Sequence, residues 1–544
     1  MKAISTGWRW SSVAIAAVVL SLLQAGLFRQ ALFNANGFGQ LWQFICASVH
    51  PDLSGELLEI TGRATIVTLA YAVCGTALSV MIGAIGGLFC AEVWWTDILR
   101  VRQSGAIFSI IRSLLSFPRA IHELIWGLFF VSIWGLDPLV AIVAIALPFG
   151  AITAKVFSEL IDETPRQPLH ALINSGVSPL SAFFYTLFPQ VFLNLLSYAF
   201  YRFECSIRSA AVLGVIGAGG LGYEILLSLQ SLRYEQLWTF FYTLFILNGC
   251  VDVFSASLRD RFGCATRMDL RKPSRKLRLS IRNPNRYTVA TNLIAAIIII
   301  TLSVAVCFWI IQPDWSKLWS PRTIVLLNQM SRSIFPPDFS GVSQLVALSI
   351  ETVAMSILAI AIAAIGGLLL AFPAARDSHH SAGSRIRLIA ARIVLLMARA
   401  IPAPIWALVV LFVLFPGILP GAIALGLHNL GILGRLLTEE IENLEQPPLE
   451  ALKAQGTPDA MVFLYGVLPM ITPRFLAYTL YRWEVCMRET VIVGLVGAGG
   501  LGQSLVEQLS SFDYRSLIVT LGAFLLLTVG VDQISGMARR SLRS

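Results

Sequence analysis

One pattern of apolar and polar positions occurs twice in this chain, 280 residues apart, and this duplication constrains the fold more than any other feature. The repeat preserves charged residues and prolines over more than 100 residues without a gap, which general helix propensity would not do. The matched pairs include Arg119 and Arg399, Trp126 and Trp406, Glu159 and Glu439, Gly176 and Gly456, Pro189 and Pro469, and Asp252 and Asp532. The chain is therefore a tandem duplication of one unit.

Each copy contains six apolar stretches near the length of roughly 20 residues that a bilayer crossing needs. The composition agrees, because 56% of residues are hydrophobic and 13% charged, against about 25% charged in soluble domains. We expect an all-α membrane protein of about 12 transmembrane helices, and we exclude a soluble enzyme, a disordered chain and a secreted disulfide scaffold. The stretches are 13–33, 64–91, 114–134, 138–155, 190–215 and 236–258, then 288–311, 345–372, 393–415, 417–434, 470–495 and 516–534.

Charge divides the chain into a first unit (1–262), a basic linker (263–286) and a second unit (287–544). Ten Lys or Arg face two Asp between Arg259 and Arg286, which is typical of a cytoplasmic loop under the positive-inside rule rather than of a nucleic-acid site. Six spans per unit would insert both copies the same way up, as parallel repeats with both termini cytoplasmic. The first apolar stretch resembles a signal peptide, but no A-x-A site follows it, so we expect an uncleaved helix.

The fifth span of each unit carries charges deep in an apolar helix. Arg202 and Arg208 follow Pro189 by 13 and 19 residues, or roughly 20 and 28 Å of helix. Two interpretations remain open: Glu204 pairs with Arg208 and ties helices together, or the arginines form a cationic ring around the path of an anion, with tyrosine hydroxyls assisting. The substrate-path candidates are Tyr201, Arg202, Glu204, Arg208, Tyr481, Arg482, Glu484 and Arg488.

Each fifth span ends in the sequence GAGGLG, which satisfies the G-x-G-x-x-G dinucleotide pattern. A long charged span precedes it instead of a short strand, so we expect close helix packing rather than a nucleotide site. No Walker A motif, catalytic motif or metal-ligand spacing occurs among the residues, so we predict no enzyme activity, cofactor or metal. The packing glycines are Gly217, Gly219, Gly220, Gly222, Gly497, Gly499, Gly500 and Gly502.

The loop before each fifth span, about 156–189 and 435–469, has a repeated short pattern. In the second unit Glu450-Ala451-Leu452 precedes Gly456, which resembles the EAA loop by which ABC importer permeases dock on their ATPase. The first unit has His170 in place of the glutamate. The alternative is an ordinary amphipathic cytoplasmic hairpin that has Gly at a helix end and no docking function. The coupling candidates are Glu159, Ala171, Gly176, Glu439, Glu450, Ala451 and Gly456.

Together with these loops, Arg399-Ala-Ile-Pro402, Leu427-His428-Asn429-Leu-Gly431 and the stretch from Val493 to Gly502 resemble the phosphonate ABC transporter permease family, as two units in tandem. The resemblance implies a type I ABC importer transmembrane fold in a bacterial inner membrane and a substrate that is phosphonate, phosphite, phosphate or hypophosphite. It also implies a periplasmic binding protein and a cytoplasmic ATPase dimer that drives alternating access. His122 replaces the family proline in the first unit.

Three alternatives stay open at this level. The same architecture could carry methionine or another organic solute. The duplication is also compatible with a secondary carrier or channel that uses no ATPase. A membrane enzyme that binds nucleotide at the glycine motifs is the third.

Overall fold

The computed structural model describes residues 2–26, 33–34, 37–101, 104–262, 286–375, 382–444 and 446–543. Over these residues the secondary structure is helical, and the β structure is confined to one isolated bridge between Phe33 and Leu414. The prediction of an all-α membrane protein is confirmed. The predicted linker, 263–286, lies outside the described residues apart from Arg286, at which a helix begins.

The helices follow the order of the duplicated sequence. The first half contains α1 (Lys2–Gln24), α2 (Gly37–Ala47), α3 (Gly55–Cys90), α4 (Ser104–Ala120), α5 (Glu123–Trp134), α6 (Pro138–Asp162), α7 (Gln167–Asn174), α8 (Pro179–Leu213), α9 (Leu221–Gln230) and α10 (Tyr234–Phe262). The second half contains α11 (Arg286–Ile311), α12 (Pro321–Ser333), α13 (Val342–Ala374), α14 (Ala382–Ala400), α15 (Ala403–Val410), α16 (Ile418–Glu442), α17 (Gln446–Ala454), α18 (Asp459–Val462), α19 (Leu468–Gly494), α20 (Gly500–Ser510) and α21 (Tyr514–Arg543).

Seven helices of the described chain are long and apolar enough to cross a membrane, and two bent helix pairs raise the number to nine. Shorter apolar segments, Ser12–Gln24 and Ile298–Ile311, lie at the predicted first span of each half. The helix α19 occupies the remaining predicted position. It is more polar than its counterpart α8 because it adds Arg474 and Glu489 to the charges that the two helices share.

The third span of each half is broken rather than straight, which corrects the prediction of one continuous helix at 114–134 and at 393–415. The axes bend by 81° between α4 and α5 and by 98° between α14 and α15. In the first half Nδ1 of His122 accepts the backbone N–H of Leu124 and begins the new helix. In the second half Pro402 precedes the new helix and has no N–H to continue the old one.

Tryptophan holds both bends in the same way. Nε1 of Trp126 donates to the carbonyl of Pro118 at 3.2 Å, and Nε1 of Trp406 donates to the carbonyl of Ala398 at 3.2 Å. Each bond joins the arm after the bend to the arm before it. The repeated tryptophan therefore ties together the two arms of each bend.

The chain forms two compact units, and these differ from the two sequence repeats. One unit comprises Asp52–Ile324, and the other comprises Met1–Pro51 with Val325–Ser544. Consequently α1 packs against α13 within its unit, and α11 packs against α3 within the other. The first span of each sequence repeat thus belongs in space with the later spans of the other repeat.

Small residues allow the central helices of each unit to approach closely. In Asp52–Ile324 the pair is α3 and α6, where a Cβ on Gly83 would lie 2.4 Å from a side-chain atom of Thr153. In the other unit the pair is α13 and α16, where a Cβ on Gly367 would lie 3.1 Å from the backbone nitrogen of Gly434. Close backbone approach is how membrane helices gain packing energy, because lipid supplies no hydrophobic drive between them.

Candidate functional site

Glu204 in α8 forms its ion pair with the last helix of its repeat. Nη1 of Arg259 in α10 lies 2.9 Å from Oε1 of Glu204, and it also donates to the hydroxyl of Ser255 at 2.8 Å. The predicted pair of Glu204 with Arg208, four residues along the same helix, is therefore replaced by a bond between two helices. The sixth span of the first unit was predicted to end at 258, with Arg259 counted among the basic residues that follow it, whereas Arg259 lies within α10.

The second repeat builds the same arrangement. Nη1 of Arg539 in α21 lies 2.5 Å from Oε1 of Glu484 and donates to Ser535 at 2.7 Å. All three residues are the first-repeat residues moved by 280 positions. That spacing was the signal in the sequence that could have identified Arg259 and Arg539 as partners of the two glutamates.

Arg202 lies in a different environment from Glu204. It is 6% exposed, and its guanidinium lies over the ring of Phe149, 3.7 Å from the centroid. Its Nε and Nη2 atoms are buried and have no hydrogen-bond partner among the described residues. Nearby, Glu123 accepts the hydroxyl of Ser209 at 2.7 Å and lies 3.3 Å from Nε2 of His122.

In Arg482, the equivalent arginine of the second repeat, both Nε and Nη2 have hydrogen-bond acceptors. Nε and Nη2 of Arg482 both donate to Oδ1 of Asn429, the first at 2.8 Å, and Nη2 lies 3.1 Å from Oε1 of Glu489. Nδ2 of Asn429 donates to the other oxygen of Glu489 at 2.9 Å. Neither Asn429 nor Glu489 is among the substrate-path candidates predicted from the sequence, and the matching residues of the first repeat are Phe149 and Ser209.

The remaining candidates of the fifth span are less enclosed. Arg208 is half-buried and donates from Nη2 to the sulfur of Cys205 at 3.5 Å. Arg488 is also half-buried. Tyr201 and Tyr481 are 38% and 47% exposed.

Each GAGGLG motif forms a tight turn between the fifth span of its repeat and the short helix that follows. A Cβ on Gly222 would lie 1.9 Å from the carbonyl oxygen of Ala211, so only glycine fits there. The hydroxyl of Thr68 accepts the N–H of Leu221 at 2.8 Å and so caps α9. Positive φ angles occur at Gly217, Gly219 and Gly220 and at their counterparts Gly497, Gly499 and Gly500.

The second motif is closed in the same way. A Cβ on Gly502 would lie 2.8 Å from Cα of Val491. The hydroxyl of Thr352 accepts the N–H of Leu501 at 2.8 Å, and Glu351 accepts the N–H of Gly500 at 3.2 Å. The N–H of Leu221 in the first motif, and those of Gly500 and Leu501 in the second, thus bond to side chains of α3 or α13. N–H groups at the start of a helix are the ones that a nucleotide phosphate would need.

The two coupling-loop candidates are short helices that end at a glycine. In the first repeat α7 buries Leu169, exposes His170 and Ala171, and is followed by Gly176 at φ +87°. In the second repeat α17 buries Leu449 and exposes Glu450 and Ala451, and Gly456 has φ +76°. Each helix therefore presents the candidate side chains outward, while Leu169 with Leu172 and Leu449 with Leu452 pack inward. Glu159 and Glu439 lie one helix earlier, beside Lys155 at 3.8 Å and Arg435 at 2.9 Å.

Ion pairs among the described residues hold both loops. Arg112 pairs with Asp162 at 2.9 Å, and the matching Arg392 pairs with Glu442 at 2.5 Å. Only the first repeat then has Arg166, which reaches Asp97 at 3.5 Å. His170 lies 4.0 Å from the same aspartate.

The described residues contain no cluster of three or more His, Cys, Asp or Glu arranged to hold a metal ion. The polar side chains that the structure brings together in the spans are instead arginines with glutamate, serine or asparagine. Such groups bind and orient anions through charge and hydrogen bonds.

Comparison with known proteins identifies the family. The model of the binding-protein-dependent transport system inner membrane component matches residues 83–263 and again residues 367–544. The phosphate-import permease protein PhnE of Mycolicibacterium smegmatis is 27% identical over 485 residues, which cover 88% of this chain and 85% of that protein. The phosphite transport system permease protein PtxC of Stutzerimonas stutzeri is 37% identical over 38% of this chain and 74% of that protein.

Among solved structures, an inward facing conformation of the MetNI methionine ABC transporter is 18% identical, with a TM-score of 0.32, and covers 35% of this chain and 93% of that chain. This likeness is weak and adds no further conclusion. The two matches of the family model cover more than half of the chain and fall one in each sequence repeat. The chain therefore belongs to the family of binding-protein-dependent transport system inner membrane components and carries the family unit twice.

Proposed function

We propose that this chain is the membrane-spanning permease of an ABC importer for phosphonate or a related phosphorus oxyanion, namely phosphite, phosphate or hypophosphite. The observation that carries the proposal is the charge balance around α8. Arg259 takes up the carboxylate of Glu204, so the buried Arg202 and the half-buried Arg208 of the same span keep their positive charge for an anion. The printed names of the relatives, a phosphate-import permease and a phosphite transport permease, support the same class of solute.

Within this proposal the substrate-path candidates have two different roles. Arg202 and Arg208 attract the oxyanion, as Arg488 does in the second repeat. Glu204 and Glu484 instead stabilise the bundle through Arg259 and Arg539. An intramembrane charge costs at least about 2.5 kcal/mol, so a span retains one only where a partner or a function compensates.

The energy comes from partner subunits. We propose that a cytoplasmic ATPase dimer docks on the exposed faces of α7 and α17 and that a periplasmic binding protein delivers the substrate. The protein would lie in a bacterial inner membrane with both termini in the cytoplasm. ATP-driven movement of the two loops would then expose the path alternately to each side, while the chain itself hydrolyses no ATP.

Reconstitution in proteoliposomes tests the proposal. The chain is combined with candidate ATPase and binding-protein subunits from the same organism. Methylphosphonate, phosphite, phosphate and methionine are compared as stimulators of ATP hydrolysis and as solutes taken up. We expect stimulation and uptake with at least one phosphorus oxyanion and neither with methionine. If methionine were the only solute that stimulates ATP hydrolysis, the proposed substrate class would be wrong and the chain would be an importer of an organic solute.

The alternatives without an ATPase have their own readouts in the same preparation. A secondary carrier or channel would take up solute when only the purified chain and an ion gradient are present. A membrane enzyme would bind nucleotide as the isolated chain. Either result would contradict the proposed coupling to a partner ATPase.

A further inference from the structure

We infer that one edge of the Arg202 guanidinium is the oxyanion-binding subsite of the first repeat, and that the equivalent Arg482 is a structural residue that binds no substrate. The inference rests on the proposed function and names which arginine meets the anion. It comes from positions at which the two repeats differ. Those positions are Phe149 against Asn429, Ser209 against Glu489 and Glu123 against Ala403.

The unpartnered atoms of Arg202 lie on a single edge of its side chain. Nε and Nη2 are the two nitrogens that bind two oxygens of a carboxylate or phosphate in parallel. Both are buried in Arg202, and neither has a hydrogen-bond partner in the described part of the chain. The ring of Phe149 covers the flat face of the guanidinium, 3.7 Å from the ring centroid, and supplies no acceptor to Nε and Nη2 in the plane.

In the second repeat the same edge is filled by the protein. Nε and Nη2 of Arg482 both donate to Oδ1 of Asn429, and Nη2 also meets Glu489 at 3.1 Å. Asn429 occupies the position of Phe149, so the acceptor that closes the edge in one repeat is an aromatic ring in the other. An oxyanion oxygen at Arg202 would take the place that the amide oxygen of Asn429 takes at Arg482.

The neighbouring carboxylate does not neutralise Arg202 by contact. Glu123 is engaged with the hydroxyl of Ser209 at 2.7 Å and lies 3.3 Å from His122. Among the described residues it forms no ion pair with Arg202. A buried cation whose hydrogen-bonding edge is open is costly to the fold, because unsatisfied buried N–H groups lose their water without a replacement. A bidentate anion satisfies both the charge and the two donors at once.

The exchange of carboxylates between repeats provides the test. The double variant Glu123→Ala with Ser209→Glu moves the acid of the first repeat to the position of Glu489 and keeps the number of charges constant. It should close Arg202 as Glu489 closes Arg482. We expect uptake of phosphate or methylphosphonate per assembled complex to fall by about tenfold or more, since the loss of a charge-assisted bond is of that order.

The reverse exchange, Ala403→Glu with Glu489→Ser, is the matched control because it leaves the first repeat unchanged. We expect uptake per assembled complex to stay within about twofold of the parent, with assembly measured by co-purification of the ATPase. Equal uptake by the first double variant and the parent would overturn the inference. An equal loss in both double variants would also overturn it.

Direct anion binding gives a second readout that does not depend on the double variants. In the delipidated permease–ATPase complex, phosphate should raise the melting temperature relative to chloride at matched ionic strength. Arg202→Lys, which keeps the charge but not the planar edge, should abolish that rise, whereas Arg482→Lys should keep it. A rise produced only by anionic phospholipid and not by soluble phosphate would assign the edge to a lipid headgroup and overturn a transport subsite.

Different results would contradict the proposed transport function and the assignment of the Arg202 edge. If the parent complex takes up no phosphorus oxyanion, the proposed function is wrong. If the parent transports one and the Arg202→Lys complex transports and binds it equally well, only the assignment of the edge is wrong.

Discussion

Arg259 forms a 2.9 Å ion pair with Glu204 across two helices, and the side chains are only 15% and 10% exposed. The pair ties α8 to α10 near the end of the repeat, and Ser255 holds the arginine in place at 2.8 Å. Breaking a buried pair from one side is costly, because the remaining charge stays in a medium of low polarity. The pair is therefore structural, and its removal should affect folding before transport.

Glu204→Gln should lower the stability of the purified protein by about 3 kcal/mol, because Arg259 is left buried without its counter-charge. Thermal melting in detergent measures this loss. Adding Arg259→Gln in the same chain should recover part of it. The control is Glu59→Gln, which breaks an ion pair with Arg63 whose side chains are 65% and 78% exposed. We expect no loss of stability from this control. Equal losses of stability in Glu204→Gln and Glu59→Gln would contradict a stabilising buried ion pair between Glu204 and Arg259.

Gly222→Ala should be strongly destabilising, because the added Cβ would lie 1.9 Å from the carbonyl oxygen of Ala211 in the same turn. The neighbour is backbone and cannot turn aside, so we expect a loss of about 3 kcal/mol or more. Gly249→Ala is the matched control, since nothing lies within 4 Å of its Cβ. Expression level and melting temperature report the difference. A Gly222→Ala protein with the expression level and melting temperature of the parent would show that this turn can widen to admit a Cβ.

Much of this fold could be predicted from the sequence because the determining signals are local or repeated. The duplication at 280 positions and the apolar stretches identify the spans, and the glycine motifs indicate tight packing. The bends at α4–α5 and α14–α15 were not predicted, because an apolar stretch that contains Pro118 or Pro402 has the same hydropathy whether it is straight or bent. Hydropathy measures length and polarity but not direction.

The partners of the charged residues were harder to predict, and for a physical reason. A pair such as Glu204 with Arg208 is suggested by spacing along one helix, whereas Glu204 with Arg259 depends on how two helices pack. The compact units likewise join α1 with α13, a relation between helices more than 300 residues apart in sequence. Comparison of the repeats could have exposed the unequal arginines, because Phe149 and Asn429 occupy matching positions.

The glycines after the two short loop helices give a prediction about coupling. Gly456 has φ +76°, so Gly456→Ala would force a side chain into a left-handed conformation that costs roughly 1–2 kcal/mol. We expect the end of α17 to shift, and substrate-stimulated ATP hydrolysis to fall while the isolated ATPase keeps its rate. The control is Gly522→Ala in α21, where the Cβ would meet open space without a positive φ. Full stimulation in the Gly456→Ala complex would argue against docking at this loop.

The last prediction concerns the unequal bracing of the two loops. Arg166 reaches Asp97 at 3.5 Å, Glu92 at 3.6 Å and Asp162 at 3.9 Å, and it is replaced by glutamine at position 446 of the second repeat. Its side chain is 30% exposed, so each pair contributes less than about 1 kcal/mol and global stability should barely change.

Arg166→Gln should therefore act on the position of α7 rather than on folding. We expect the melting temperature to stay near that of the parent, and the ATPase to bind more weakly in co-purification at about 0.05 M salt, where partly exposed charge pairs are screened little. Gln446→Arg is the matched control, because it adds the same side chain to the loop that does without it. Binding that weakens equally in both variants would mean that net charge, and not the bracing of α7 through Asp97, governs the contact.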